Sequence, residues 1–151
     1  MRIIPGNILS VRKGIIVHQV NCQRVMGAGL ALKIKSMYPK HYSDYLNTPP
    51  ILGGTCITEV NPELFVVGVY GQDRFGSGRV YTNYDMLRKG LNTVATLSKE
   101  KHLPVYLPFG IGCGLAGGSW DIVLPIIKEV LPDSVVVKFG ENGHQSGRYK
   151  R

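Results

Sequence analysis

Two glycine-containing stretches of the sequence hold the residues best suited to chemistry. The first covers 21–30 and includes Gly27 and Gly29, and the second covers 108–118 and includes Gly112 and Gly114. Glycine lets the backbone approach a ligand closely, and free N–H groups at the start of a helix attract an anion. Both stretches therefore predict phosphate binding by backbone groups. For the first stretch taken alone, a turn that binds nothing is an equally good interpretation.

The second stretch also matches a dinucleotide-binding fingerprint, Gly112-x-Gly114-x-x-Gly117, with Glu141 at the spacing of a ribose ligand. A single match of this kind in a glycine-rich segment is a weak signal. No Gly-Lys-Ser or Gly-Lys-Thr sequence is present, so a P-loop is excluded. No cysteine is followed by an arginine six positions later, which argues against a cysteine-dependent phosphatase.

The elements that must position these stretches alternate between β-rich and helical patterns. The run at 15–20 is apolar on both faces, which predicts a central strand with His18 as a satisfied core histidine. Six strands with helices between them predict a mixed sheet covered on both faces. The strands are expected at 2–4, 15–20, 54–60, 64–70, 104–107 and 134–139, and the helices at 29–37, 41–46, 83–101 and 120–130.

Ligands of open α/β sheets bind at the carboxyl ends of strands, and both glycine stretches follow such ends. Two loops facing one crevice would hold a diphosphate from both sides. The strands at 54–60 and 64–70 have hairpin spacing and should be antiparallel neighbours. The glycine-rich loop at 71–79 either closes over the site or is a solvated surface loop. Ser119 is expected to cap the last helix, and Pro125 to disturb its first turn.

The composition fits a single soluble domain. The chain has 151 residues, and its 18 Lys and Arg against 10 Asp and Glu give a net charge of +8, which favours anionic partners. There is no apolar run of the roughly 18 residues needed to span a bilayer and no signal-peptide pattern, so a cytoplasmic protein is expected. Cys22, Cys56 and Cys113 form no C-x-x-C pair, so neither a disulfide framework nor a metal site is predicted.

Several short motifs together resemble the macrodomain family. They are Gly6-Asn7-Ile8, the stretch from Asn21-Cys22-Gln23 to Met26-Gly27-Ala28-Gly29, Gly71-Gln72, and Pro108-Phe109-Gly110-Ile111-Gly112-Cys113-Gly114-Leu115 followed by Trp120. Within the family the chain looks most similar to the branch that contains the yeast ADP-ribose 1''-phosphate phosphatase and the terminal ADP-ribose protein glycohydrolase. The resemblance implies a three-layer α/β/α fold with a six-stranded mixed sheet over 1–140, followed by a basic polar tail at 141–151 that should be mobile.

The resemblance also implies a site for ADP-ribose. Asn7 and Ile8 would line the adenine end, and Asn21 would contact the distal ribose. In many macrodomains an aspartate stands at the place of Asn7. The full set of implied binding residues is Asn7, Ile8, Val20, Asn21, Met26, Gly27, Ala28, Gly29, Leu30, Pro108, Gly110, Ile111, Gly112, Cys113, Gly114 and Leu115.

The implied reaction depends on two departures from the family pattern. The glycohydrolase branch uses a lysine nucleophile after the hairpin and an aspartate after Gly-Cys-Gly-Leu, where this chain has Gln72 and Ala116. The favoured function is therefore a slow phosphatase on ADP-ribose 1''-phosphate, with Asn21 as the catalytic residue and no cofactor or metal. The alternatives are a non-catalytic ADP-ribose binding module, a hydrolase of ADP-ribosylated protein that uses other residues, and a basic nucleic-acid-binding domain, which is the least favoured.

Overall fold

The computed structural model describes residues 1–140 of the chain, so the predicted tail at 141–151 lies outside the described residues. A short 3-10 helix (Ile8–Ser10) follows the first strand. No helix in this range is both long and apolar enough to cross a membrane. In chain order the other elements are β1 (Arg2–Pro5), β2 (Gly14–Asn21), α1 (Gly29–Met37), α2 (Pro39–Asn47), β3 (Thr55–Asn61), β4 (Leu64–Gln72), α3 (Tyr84–Lys101), β5 (Val105–Pro108), α4 (Trp120–Val130) and β6 (Val135–Lys138).

The six strands form one mixed sheet in the order β1-β6-β5-β2-β4-β3. β3 and β4 form the predicted antiparallel hairpin, and the other neighbouring strands are parallel. β2 lies between β5 and β4, which confirms that the apolar run at 15–20 is a central strand. Because β2, β4 and β5 are parallel, the loops that leave their carboxyl ends meet at one edge of the sheet.

Helices cover both faces of the sheet, as the alternation along β2 shows. Ile15 and Val17 pack in one cluster with Leu91 of α3 and Ile127 of α4, whereas Ile16 packs in a second cluster with residues of α1. Successive side chains of a strand point to opposite faces, so these two clusters lie on opposite sides of the sheet. The fold is thus the predicted three-layer α/β/α arrangement around a six-stranded mixed sheet.

The helix starts are fixed by different means. The Asn83 side chain caps α3 by accepting the N–H of Met86 at 3.1 Å. Ser119 directly precedes α4, as predicted, but its side chain makes no capping bond; its backbone N–H donates to the hydroxyl of Tyr84 at 2.9 Å. α4 is continuous through Pro125, where a disturbed first turn was expected. The beginnings of α3 and α4 are therefore bonded to each other.

A buried polar chain links β2, α2 and β3. The hydroxyl of Thr58 donates to the Asp44 carboxylate at 2.7 Å, so it must accept the N–H of His41 Nδ1 at 2.8 Å. His41 Nε2 is then an acceptor, and His18 Nε2–H donates to it at 2.9 Å. His18 Nδ1 carries no proton in this chain and has no hydrogen-bond partner within residues 1–140. His18 is thus a core histidine, as predicted, but it is not fully satisfied.

Burial makes both imidazoles hard to protonate. Burial, reinforced by the neighbouring His41, lowers the pKa of His18 well below its ordinary value. Burial lowers the pKa of His41 from 6.5 to about 4, although the Asp44 carboxylate opposes this shift. Both histidines are therefore neutral in the folded protein at neutral pH, as the hydrogen-bond chain requires.

These shifts predict an acid-sensitive fold. As pH falls below 6.5 the unfolded chain takes up protons on both histidines, while folded His41 stays neutral until about pH 4. The free energy of unfolding should fall over this window by up to about 1.4 kcal/mol per pH unit for each histidine. Urea unfolding at pH 7.0 and at about pH 5.5 measures the effect.

Two variants separate this effect from general acid titration. His41→Gln removes one of the two titrating imidazoles and should flatten the pH dependence, even though it lowers stability at pH 7. His102→Asn is the matched control, because His102 is an exposed helix cap with a φ of 56° that asparagine tolerates. Equal pH dependence in the wild type and His41→Gln would contradict the assignment.

Candidate functional site

A cleft of about 1100 Å³ opens at the edge of the sheet where β2, β4 and β5 end. Its wall is built from the end of β2, the start of α1, the segment after β4 and the loop after β5. Among the described residues, none of those that line the cleft is an Asp, Glu, Lys or Arg. The lining residues are His18, Gln19, Val20, Asn21, Val25, Gly27, Ala28, Gly29, Leu30, Ala31, Gln72, Phe75, Gly76, Ser77, Pro108, Phe109, Gly110, Ile111, Gly112, Cys113, Gly114, Leu115, Ala116 and Trp120.

The turn after β2 is held by the side chain of Asn21. Its amide Nδ2 donates to the carbonyl of Val25 at 2.9 Å, and its Oδ1 accepts the N–H of Gln23 at 2.9 Å. The buried hydroxyl of Tyr45 donates to the backbone and side-chain oxygens of Asn21, at 2.6 and 2.8 Å. Asn21 therefore shapes the turn, and one of its two Nδ2 hydrogens is left over for a ligand in the cleft.

The start of α1 presents unpaired backbone N–H groups to the cleft. Its N-cap residue, Ala28, has no side chain able to cap, and the first helical bond runs from the N–H of Leu32 to the carbonyl of Ala28 at 3.3 Å. The N–H groups of Gly29, Leu30 and Ala31 consequently have no partner among the described residues. No acidic side chain lies in the first turn to compete for them. This helix start is suited to an anion.

The loop after β5 presents a second set of unpaired backbone N–H groups to the cleft. Four internal bonds fold it: the N–H groups of Ile111, Cys113, Gly117 and Gly118 donate to the carbonyls of Pro108, Gly110, Gly114 and Gly112, at 3.1, 2.8, 2.9 and 2.9 Å. Gly110 and Gly112 have φ values of 80° and 76°, which favour glycine. Within this loop, the backbone N–H groups left without a partner are those of Gly110, Gly112, Gly114, Leu115 and Ala116.

The loop after β4 closes one end of the cleft. The backbone N–H of Phe75 donates to the side chain of Gln23 at 2.8 Å, which ties this loop to the turn after β2. The Phe75 ring is 53% exposed and lines the cleft together with Gly76 and Ser77. The loop at 71–79 thus combines the two interpretations: most of its residues from Asp73 on are exposed, and three of them border the cleft without covering it.

Most predicted site residues lie in the cleft wall, and three do not. Asn7 and Ile8 line a smaller adjoining hollow that shares Leu30 with the cleft. The Asn7 side chain caps the 3-10 helix by accepting the N–H of Leu9 at 3.0 Å. Met26 is only 1% exposed and packs in the core with Val20 instead of lining the cleft.

Cys113 lies in the cleft wall, and its thiol is a poor nucleophile. Its thiol donates to the carbonyl of Ile111 at 3.4 Å. Burial raises the pKa of this thiol to about 11, so it stays protonated at neutral pH. The geometry fits the packing role that its place between two glycines suggests.

Sequence reasoning missed the polar residues beneath the loop after β5. Gln19 lies in the cleft wall and donates from its side-chain nitrogen to Gln72 Oε1 and Thr82 Oγ1, at 2.8 and 2.9 Å. Gln19 is a long polar residue within the apolar run of β2, and that contrast was the available signal. Thr82 gave none, because it stands in an irregular segment before α3.

Comparison with known proteins identifies the fold. No protein-family model and no curated protein matches the chain. A crystal structure of a Bacteroides thetaiotaomicron protein matches with a TM-score of 0.80 and 27% identity, over 92% of this chain and 98% of that one. A macrodomain protein from Streptomyces coelicolor matches with a TM-score of 0.73 and 26% identity, over 91% and 96% of the two chains.

A third structure, Thermosipho africanus DarTG in complex with ADP-ribose, matches with a TM-score of 0.72 and 19% identity. This match covers 95% of the present chain and 43% of that one, so the likeness concerns one part of a larger protein. At this identity it shows the fold alone. The chain has the macrodomain fold, and its structural neighbours support a place in the macrodomain family.

Proposed function

We propose that the cleft binds ADP-ribose, with its diphosphate held between the start of α1 and the loop after β5. The observation that carries this proposal is the pair of backbone N–H arrays, at 29–31 and at 112–116, in the wall of one cleft. Amide groups of a helix start and of a glycine turn bind phosphate oxygens without a cation. Because the described lining of the cleft is neutral, backbone N–H groups are the donors that would bind the phosphates.

The dimensions and the fold comparison support the same ligand. The cleft, at about 1100 Å³, is larger than a diphosphate requires and leaves room for a group on either side. The family resemblance puts the adenine end toward Asn7 and Ile8, where the adjoining hollow of about 10 Å³ is too small to enclose the base, so the base would lie on the surface there. The region of Asn21 and Phe75 would face the distal ribose. The Thermosipho africanus DarTG structure of the same fold holds ADP-ribose.

The reaction we propose is slow hydrolysis of ADP-ribose 1''-phosphate to ADP-ribose and phosphate, in which water replaces the sugar oxygen on phosphorus. The backbone N–H groups would stabilise charge on the phosphoryl oxygens, and the remaining Asn21 Nδ2 hydrogen would position the sugar or the water. His18 does not act as the base in this scheme, because its Nδ1 is buried and burial lowers its pKa well below the ordinary value. We include in this proposal that the chain is most similar to the macrodomain branch that contains the yeast ADP-ribose 1''-phosphate phosphatase.

Hydrolysis of ADP-ribosylated protein through a covalent intermediate is not favoured. Gln72 stands near the place of the family's lysine, and its side chain is occupied by Gln19 and by the carbonyl of Arg74. Ala116 stands where a carboxylate would be needed, and the Cys113 thiol is protonated. The absence of any ionised side chain from the described cleft wall instead favours a second function, a non-catalytic ADP-ribose binding module.

Calorimetric titration tests the binding proposal. ADP-ribose should bind and AMP should bind much more weakly, because AMP lacks the second phosphate and the distal ribose. Gly27→Glu and Gly114→Glu should each lower affinity at least about 100-fold, since a carboxylate would enter the phosphate path. Both positions have room for a side chain: a Cβ at Gly27 would meet only Val25 at 3.4 Å, and one at Gly114 meets nothing within 4 Å.

Gly27→Ala and Gly114→Ala are the matched controls, because they keep the backbone N–H groups and add no charge. Gly112 is less suitable, since its φ is 76° and a Cβ there would lie 3.0 Å from Gln19 Oε1. Raising the salt concentration from about 50 to 200 mM should change the affinity by less than about threefold, whereas nucleic-acid binding would weaken steeply. Equal affinities for ADP-ribose and AMP would reject the two-loop site.

Phosphate release from ADP-ribose 1''-phosphate tests the proposed reaction. Asn21→Ala should lower the rate about 10- to 1000-fold, the range for loss of one positioning hydrogen bond, and should weaken binding less. Tyr45→Phe measures the structural part of this effect, because it removes a hydroxyl that holds the same turn but does not line the cleft, and it should lower the rate less than Asn21→Ala does. Full activity in Asn21→Ala would reject Asn21 as a catalytic residue, and no activity in the wild type would favour the binding module.

A further inference from the structure

A line of side-chain hydrogen bonds lies beneath the glycine turn at Gly112. It begins at Gln72, whose Nε2 donates to the carbonyl of Arg74 at 3.0 Å and whose Oε1 accepts from Gln19 Nε2 at 2.8 Å. The same Gln19 nitrogen donates to Thr82 Oγ1 at 2.9 Å. The Thr82 hydroxyl donates to the carbonyl of Gly112 at 2.6 Å. β2, the end of β4 and the segment before α3 are thus connected to the loop after β5.

The direction of each bond is fixed by the groups involved. A carbonyl oxygen only accepts, so the Thr82 hydroxyl must donate its single hydrogen to the carbonyl of Gly112. Its oxygen then accepts from the Gln19 amide, which sets that side chain with its nitrogen toward Thr82. The Gly112 carbonyl also accepts the N–H of Gly118 at 2.9 Å. This carbonyl is therefore held by two donors on its protein side.

Holding that carbonyl fixes the peptide group between Gly112 and Cys113. The N–H end of the same peptide group donates to the Gly110 carbonyl at 2.8 Å, so both of its ends are bonded. The unpaired N–H groups on either side of it, at Gly112 and Gly114, are then oriented before a ligand arrives. Donors that need no reorganisation bind a charged group more strongly than donors that must first be ordered.

Thr82 is itself firmly placed. It is 6% exposed, and it is not among the residues that line the cleft. Its backbone N–H and that of Tyr81 donate to the carbonyl of Ala116, at 3.2 and 2.7 Å, and it forms a bridge with Gln72. The segment before α3 therefore contacts the loop after β5 at two points, the Gly112 carbonyl and the Ala116 carbonyl.

We propose that Thr82 is a positioning residue for anion binding: its hydroxyl, oriented by Gln19, holds the Gly112 turn so that the free N–H groups face the ligand. This inference rests on the proposed function of the cleft. It assigns the effect to the hydroxyl hydrogen and not to the volume of the side chain. Valine has nearly the same shape as threonine, and serine keeps the hydroxyl, so the two variants separate these contributions.

The first measurement needs no ligand. Amide hydrogen exchange of the free protein, followed by NMR, reports on the N–H groups of Gly118 and Cys113, which are bonded inside the loop. Thr82→Val should speed their exchange at least about tenfold, since the loop would open more often. Thr82→Ser should stay near the wild-type rates, and amides of the β2–β4 ladder should be unchanged in both variants.

The second measurement is the affinity for ADP-ribose by calorimetry. Thr82→Val should bind about 10- to 100-fold more weakly, the loss expected when binding groups are displaced by a fraction of an ångström or more. Thr82→Ser should recover most of the affinity. If Thr82→Val does not fold, Gln19→Met takes its place, because it removes the donor that orients the Thr82 hydroxyl. It should change exchange and affinity in the same direction.

The outcomes distinguish this inference from the function on which it rests. A wild-type protein that does not bind ADP-ribose would overturn the proposed function, and the exchange rates would still test the role of Thr82 in holding the loop. A wild type that binds, together with a folded Thr82→Val variant of equal affinity and equal exchange, would overturn the inference. So would a Thr82→Ser variant that behaves like Thr82→Val.

Discussion

The candidate site presents backbone N–H groups, and the orientation of those groups depends on how firmly the backbone around them is held. Glycine gives the loops their close approach and left-handed turns, but it also leaves them with more freedom than any other residue would. The freedom has to be removed by side chains from other elements. Asn21 and Tyr45 do this for the turn after β2, and Thr82 with Gln19 does it for the loop after β5.

The sheet topology makes these long-range bonds feasible. β2 lies between β4 and β5, so the loops that leave three neighbouring parallel strands are brought to one edge. Gln19 near the end of β2 can then reach a threonine that is 63 positions away in the chain. The same edge holds the start of α3 and the start of α4, which are bonded through Tyr84 and Ser119. The site is thus built where the two helical layers and the sheet meet.

Periodicity and turn chemistry were sufficient to predict the six strands, the four helices and the central place of β2, because each of these depends on local patterns. They also located both glycine loops. They could not show that Met26 faces the core, since a loop residue has no periodic face to read. His18 was expected to be a satisfied core residue, and only the arrangement of His41, Thr58 and Asp44 reveals that one of its nitrogens is left open. The role of Thr82 likewise depends on a partner distant in the sequence.

The wall of the cleft is neutral and is built largely from backbone, and this affects how strongly the site constrains the amino-acid sequence. If the proposed ligand is bound by peptide groups, most side chains around it can change without loss of binding, provided that a few glycines and their supporting residues are kept. Such a site constrains the amino-acid sequence less than a site built from charged side chains would. The present chain superposes on two solved structures with TM-scores of 0.80 and 0.73, at sequence identities of 27% and 26%.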